Sequence, residues 1–232
     1  MIVWVASFPR SGNTFLRIVL KNLYGVRTSV VYDVDGVAER LGADLVGYTD
    51  RPAPIRAMRA SGDVHFVKTH RQRDDQIDEG DPAICLVRDG RDALVSWARL
   101  NGGSDPARFE AELRTMILRQ DRVGTGSWGT NVLSWLRPPA PHRHVLRYED
   151  LVRDPRPAVG RIMAALVPDF APAPDAVIPS FADLRRADDR FFRRGHSATH
   201  RDELPEDLHR LFWSRPDNRA AMRLLGYARQ RR

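Results

Sequence analysis

The chain opens on an unbroken apolar run, Ile2-Val3-Trp4-Val5-Ala6. A polar stretch from Ser7 to Thr14 follows, then an amphipathic segment with apolar positions at Phe15, Leu16, Ile18, Val19, Leu20 and Leu23. A short apolar run predicts a buried strand and an apolar stripe at helical spacing predicts a helix, so the order is strand, tight loop, helix. Gly25 is placed to stop that helix. Val30 to Tyr48 mixes apolar and acidic residues around Gly36, Gly42 and Gly47, which predicts a short helix near Val37–Leu41 and otherwise loop. Pro52 to Ala60 predicts another short helix, and Val64-His65-Phe66-Val67 is a compact β-prone run leading into Lys68-Thr69-His70. Ala83-Ile84-Cys85-Leu86-Val87 is apolar on both faces, as a central parallel strand should be. It ends at Arg88-Asp89-Gly90 and gives way to a helical pattern from Asp92 to Leu100. A longer helix is predicted from Pro106 to about Arg122, with proline in its favoured first position. Helix resumes over Thr130–Leu136, and His144–Tyr148 reads as a further internal strand. Arg156–Leu166 is helical, prolines punctuate Pro168 to Pro179, and two amphipathic helices, Glu206–Trp213 and Asn218–Leu225, complete the pattern. Strands alternating with helices predict an α/β fold with a central, mainly parallel sheet flanked by helices. One domain over 1–228 with a short basic tail over 229–232 is the expected organisation.

Composition narrows the function classes. The 232 residues, 42% hydrophobic and 29% charged, suit a soluble globular protein with a sizeable core. No apolar run has the length of a membrane span, and the N-terminal run is broken too early by Pro9-Arg10 to be expected as a secretory signal or anchor. Cys85 is the only cysteine. It excludes an internal disulfide and fits a reducing compartment, so a cytoplasmic location is expected. No Cys/His cluster has zinc spacing, and no metal is expected. The formal charge of +7 suggests an anionic partner, yet Lys21 and Lys68 are the only lysines. Such an arginine skew follows as easily from genome composition as from function. It leaves Lys68, where arginine was not substituted, as the informative position. A nucleic-acid partner is not expected, because no nucleic-acid motif appears and the aromatics are not interleaved with a basic strand.

Candidate chemistry falls at the carboxyl ends of the predicted strands, where open α/β sheets bind ligands. Those ends are Ser7–Thr14, Lys68-Thr69-His70, Arg88-Asp89-Gly90 and Arg147-Tyr148. A strand–loop–helix turn aims the first helical N–H groups into one volume, which the helix dipole makes an anion site. Arg10 adds a planar, bidentate cation. An ordinary turn capped by Ser11 or Asn13 is the plain alternative. The loop lacks the first glycine and the Lys-Ser/Thr of a Walker A sequence, which disfavours a standard Mg-nucleoside-triphosphate site. In extended backbone i and i+2 share a face, so Lys68 and His70 can address one site.

Ser7-Phe8-Pro9-Arg10-Ser11-Gly12-Asn13-Thr14-Phe15-Leu16-Arg17 resembles the 5′-phosphosulfate loop of sulfotransferases that use 3′-phosphoadenylyl sulfate (PAPS). Lys68-Thr69-His70 is similar to that family's Lys-Thr-His, whose histidine is the catalytic base. Arg88 to Ser96 looks like its 3′-phosphate segment. Gly126-Ser127-Trp128 with Val132 and Trp135, Tyr148-Glu149-Asp150, and Arg193-Arg194-Gly195 resemble three further stretches, all in family order. The resemblance implies a three-layer P-loop-like fold, PAPS as co-substrate and sulfuryl transfer to an acceptor hydroxyl or amine of a small molecule, glycan or natural product. It implies that Ser11, Gly12, Asn13 and Thr14 cradle the 5′-phosphosulfate while Arg10 stands where the family has lysine and supplies charge. It implies that Phe15 stacks on adenine where the family often has tryptophan, or is a core residue of the first turn. Tyr148 approaches adenine or packs with its hydroxyl satisfied. Arg88, Ser96, Arg193 and Arg194, with Gly195, are implied to hold the 3′-phosphate; a salt bridge of Arg88 with Asp89 or Asp92 is the structural alternative. His70 is implied to take the acceptor proton, a task suited to an imidazole of pKa near 6.5, while Lys68 stabilises the transferring group. Trp128 and Trp135 read as core. A P-loop-like small-molecule kinase, a basic nucleic-acid-binding protein and a nucleotide-binding fold without catalysis are the competing readings. The acceptor and the oligomeric state are not legible.

Overall fold

Alternation along the first strand sets the layers. Ile2, Trp4 and Ala6 face one side with Met58, Val67, Cys85 and Trp135, whereas Val3 and Val5 face the other with Leu16, Val19, Leu20, Val159 and Met163. In the computed structural model, which describes residues 1–75, 77–118, 124–192 and 198–227, the elements run β1 (Ile2–Ser7), α1 (Asn13–Tyr24), β2 (Thr28–Val30), α2 (Gly36–Leu41), α3 (Ala43–Val46), α4 (Ile55–Ala60), β3 (His65–Thr69), β4 (Ala83–Val87), α5 (Gly90–Gly102), α6 (Pro106–Leu118), α7 (Trp128–Leu136), β5 (Arg143–Arg147), α8 (Tyr148–Arg153), α9 (Pro155–Leu166), α10 (Phe181–Ala187), α11 (His200–Glu203), α12 (Glu206–Ser214) and α13 (Pro216–Leu224). The sheet has five strands in the order β2-β3-β1-β4-β5, and every pairing is parallel. All strand ends that carry polar residues therefore lie along one edge. Growth of the sheet changes side at β1, which opens the ligand crevice of this fold class there.

Register decides which residues meet. Ala6 pairs with Thr69, so Ser7 and His70, the next residues along, become neighbours. Val87 pairs with Arg147, so Arg88 and Tyr148 become neighbours in the same way. A second apolar cluster joins α5 and α6 to α7, α12 and α13 through Leu94, Leu113, Trp128, Phe212 and Met222. Trp128 and Trp135 are core residues, 1% and 3% exposed.

Several boundaries differ from the pattern reading. The strand predicted to reach Tyr148 ends at Arg147, and Tyr148 opens α8 instead, with Glu149 and Asp150 suiting its first turn. The edge strand β2 falls on a stretch to which the pattern assigned no element, and the short α3 stands where loop was predicted. The proline-punctuated stretch is followed by α10, capped by Ser180 and Asp183 in a capping box. α5 begins at Gly90, ahead of the predicted Asp92, because the Asp89 side chain caps it by accepting from the Arg91 amide. The end of the helix predicted to reach Arg122, the residues Arg193, Arg194 and Gly195, and the basic tail over 229–232 lie outside the described residues.

Packing of α7 on α13 is close enough to exclude one methyl group. A Cβ at Gly129 would lie 2.4 Å from the Asp217 carbonyl carbon and 2.5 Å from the Asn218 nitrogen, both backbone atoms with nowhere to move. Gly129→Ala is expected to destabilise the fold by about 3 kcal/mol, the upper part of the overpacking range. A lowered urea midpoint checks this; an unchanged midpoint contradicts it.

Candidate active site

The loop between β1 and α1 carries two left-handed residues, Arg10 at φ 64° and Gly12 at φ 99°. Glycine tolerates that conformation and arginine does not favour it, so Arg10 is held there by its partners. Arg88 supplies one of them, its Nη1 donating to the Arg10 carbonyl at 3.0 Å. The Arg10 side chain donates through Nη2 to the Phe191 carbonyl at 2.7 Å and through Nε to Ser96 Oγ at 3.3 Å, and its guanidinium lies 4.3 Å from the Phe191 ring centroid. At Gly12 a Cβ would stand 2.5 Å from the Tyr148 ring, so only glycine lets that aromatic close on the loop. Asn13 faces inward and ties the loop to the strand, donating through Nδ2 to the Val5 carbonyl and Ser7 Oγ. Ser11 Oγ is buried without a protein partner.

His70 is fixed by four contacts. Its Nδ1 is 2.8 Å from the Ser7 carbonyl and 3.2 Å from Ser7 Oγ. A carbonyl only accepts, so Nδ1 carries the proton and Nε2 holds the lone pair. The His70 amide donates to the Tyr32 hydroxyl at 2.5 Å, and its carbonyl accepts from Asn131 Nδ2 at 3.0 Å. Burial, then the charge of Lys68, push the imidazole pKa down to about 3. This corrects the expectation of an ordinary value near 6.5: the ring is neutral throughout the physiological range. The edge open to the cavity moderates that depression without reversing it.

Arg88 is buried and stacks on Tyr148, its guanidinium 4.2 Å from the ring centroid. The partner of Asp89 is Arg91, joined to it in a two-pronged pair at 3.0 and 2.6 Å. Asp92 instead accepts from the Ala198 amide, Thr199 Oγ1 and both the amide and Nδ1 of His200. Burial raises its pKa, but the His200 bonds and the Arg88 charge outweigh burial and bring it to about 2. Burial raises the Tyr148 phenol, which stays protonated.

A cavity of about 230 Å³ draws these groups together. Its wall includes Arg10, Gly12, Asn13, Thr14, Phe15, His70, Arg88, Ser96 and Tyr148, nine of the residues singled out by sequence, beside the apolar Val37, Trp97, Leu100, Phe181, Phe191 and Phe192. Lys68 is not part of that wall. It lies behind it, 5% exposed, with Nζ 3.5 Å from Asp35 Oδ1. Sequence reasoning gave no role to Tyr32 or Asp35, placed Ser7 only as the start of the loop, and offered Asp92 only as a salt-bridge partner for Arg88. Strand register carried the signal for the contact of Ser7 with His70; Tyr32, Asp35 and the Asp92–His200 pair act through contacts that the local pattern does not encode.

The profile of the sulfotransferase domain matches residues 2–166. This chain belongs to the sulfotransferase family. Among solved structures, mouse sulfotransferase SULT7A1 complexed with PAP is 16% identical, with 98% of this chain and 89% of that one covered at a TM-score of 0.61. Retinol dehydratase in complex with androsterone and inactive cofactor PAP is 18% identical, with 95% and 80% covered at a TM-score of 0.59. These likenesses show the sulfotransferase fold. A WSCD family member of Drosophila pseudoobscura pseudoobscura is 29% identical over 157 residues, 66% of this chain and 46% of the relative. The chain thus spans under half the length of that relative. Among the described residues no group of His, Cys, Asp and Glu is arranged to hold a metal, and no helix is long and apolar enough to cross a membrane.

The donor set suits an anion bonded to an aromatic base. The helix-start amides and the unpartnered Ser11 hydroxyl are donors, Arg10 and Arg88 are cations, and Phe15, Tyr148 and Phe181 offer flat faces.

Proposed function

We propose that this sulfotransferase moves a sulfuryl group from PAPS to a hydroxyl or amine of a small molecule, sugar or natural product, with His70 as general base. PAPS supplies the chemistry of a sulfuryl group activated on a phosphate. The chain supplies position, charge and a proton acceptor. The observation that carries the reading is the His70 arrangement: Ser7 holds the proton on Nδ1, which leaves Nε2 as the unprotonated acceptor of a residue that lines the cavity with the anion-binding loop. Ser11, Gly12, Asn13 and Thr14 bind the 5′-phosphosulfate through amides and hydroxyls. Arg10 neutralises charge there but cannot give up a proton. Arg88 and Ser96 hold the 3′-phosphate, with Arg193, Arg194 and Gly195 assigned to the same group by resemblance alone. Phe15 and Tyr148 flank the adenine. His70 accepts the acceptor proton as its oxygen or nitrogen attacks sulfur, and fixed cations stabilise the separating charge. No observation favours the kinase reading.

Radiolabelled PAPS incubated with the protein and an extract of its native host tests this. Label transferred to an extract component supports it; label that stays on PAPS or passes only to water contradicts it.

A pH profile follows from His70. The active form is neutral, and its depressed pKa keeps it so until the medium is strongly acidic. The acid side of kcat/KM is therefore expected to stay flat from about pH 8 to about pH 5. An acid limb with a midpoint near 6.5, the unperturbed imidazole value, contradicts the assignment. The same shift makes the native state lose stability as pH falls from about 6.5 toward about 3, because the unfolded chain binds that proton first.

A further inference from the structure

Directly behind His70 lies a cluster of buried charge. Arg17 on α1, Asp35 just before α2 and Lys68 on β3 meet there. Arg17 Nη1 is 2.6 Å from Asp35 Oδ2 and Lys68 Nζ is 3.5 Å from Asp35 Oδ1, with side chains 0%, 0% and 7% exposed for Arg17, Asp35 and Lys68. Two cations share one carboxylate. Arg17 Nε also donates to Thr28 Oγ1 at 2.6 Å, so the guanidinium that braces Asp35 is itself tied to β2. A buried carboxylate shared by two buried cations is weak evidence of stabilisation and asks for another explanation.

The placement supplies one. Asp35 Oδ1 also accepts from the Val37 amide at 3.2 Å, and Val37 lines the cavity. Four groups face Lys68: Asp35 from the loop before α2, Arg17 from α1, Tyr32 from the loop after β2 with its ring centroid 5.5 Å from Nζ, and His70 farther along its own chain. Tyr32 in turn accepts from the His70 amide. Asp35 is the only carboxylate in that set.

We propose that Asp35 is a positioning residue for sulfuryl transfer: its carboxylate, braced by Arg17, fixes the Lys68 ammonium beside His70. This rests on the reading that Lys68 and His70 serve the transfer. Burial and Arg17 both oppose the charge on Lys68, and Asp35 opposes them in turn. Without the carboxylate, Lys68 loses its proton at lower pH and its place beside the reacting groups.

The sequence makes the test direct, because Lys21 and Lys68 are the only lysines. Protein carrying lysine labelled at Cε gives two NMR signals, and the Lys68 signal is the one missing from Lys68→Arg. In Asp35→Asn, Lys68 is expected to titrate at least about one pH unit below wild type. With radiolabelled PAPS, kcat is expected to fall at least about tenfold, with KM for PAPS changed less than about threefold and the alkaline limb of kcat moved to lower pH. The Asp35→Asn, Lys68→Arg double variant, whose guanidinium cannot titrate, is expected to lose that displaced limb. An unmoved Lys68 titration, or wild-type kcat with the limb in place, overturns the proposal. Should Asp35→Asn fail to fold, Asp35→Glu carries the test. It keeps the charge but moves it by a methylene, so at least about a tenfold loss of kcat with retained affinity for PAP is expected, and wild-type kcat overturns the proposal. A wild-type protein that transfers no sulfuryl group defeats the sulfotransferase reading separately, while the lysine titration still decides whether Asp35 holds Lys68.

Discussion

His70→Ala is expected to lower turnover of PAPS by about 10²- to 10⁴-fold, the range of a positioned general base, with affinity for PAP unchanged within about twofold. The substitution removes the lone pair at Nε2 and the bond from Nδ1 to the Ser7 carbonyl. It leaves untouched the Arg10–Ser96 contact and the stack of Arg88 on Tyr148. Loss of chemistry without loss of binding is therefore the expected signature, read by pairing a transfer assay with calorimetry. Transfer at the wild-type rate by purified His70→Ala contradicts the base assignment. An equal collapse of PAP affinity shows instead that His70 holds up the loop.

Arg88→Ala produces the opposite signature. Arg88 is buried, stacks on Tyr148 and holds the Arg10 carbonyl in its left-handed turn. Its removal takes away one cation proposed for the 3′-phosphate and frees both Tyr148 and Arg10. Truncating one side of a buried charge pair costs about 2–5 kcal/mol, so PAP affinity is expected to fall by about two orders of magnitude. Arg88→Lys restores the charge but neither the planar stack nor the fork, and is expected to recover only part of the loss. Affinity for PAP within about threefold of wild type in Arg88→Ala contradicts the assignment.

The strands legible in the sequence are those that are continuous apolar runs. Ile2–Ala6 and Ala83–Val87 stand almost residue for residue where the pattern put them, because both faces are buried. β2 was not legible. Thr28-Ser29-Val30 has no apolar signature, and its place comes from pairing with β3. Tyr148 looked like the last residue of a strand because the pattern cannot distinguish a strand end from the first turn of an apolar helix.

The candidate site was legible wherever a motif lies on a strand end. Arg10 and Gly12 to Phe15 of the loop, with His70, Arg88, Ser96 and Tyr148, line one cavity although these residues are far apart in sequence. Lys68 shows where spacing stops being informative. The rule that i and i+2 share a face holds in extended backbone, but β3 ends at Thr69 and His70 lies beyond it. His70 turns to the Ser7 carbonyl and the cavity, and Lys68 stays inside with Asp35. Nothing near Asp35 in the chain marks it. Its role comes from two cations on other elements, and only the assembled fold brings them together. The depressed pKa of His70 was hidden for the same reason, since burial and Lys68 both act through space.

The central claim is that this cavity recognises an adenosine carrying a 3′-phosphate. Calorimetric titration of the wild-type protein with PAP, with adenosine 5′-monophosphate and with ATP–Mg²⁺ tests it most directly. PAP is predicted to bind at least about a hundredfold more tightly than either, about 2.7 kcal/mol of preference. Tighter binding of ATP–Mg²⁺, or equal affinity for PAP and adenosine 5′-monophosphate, would contradict it.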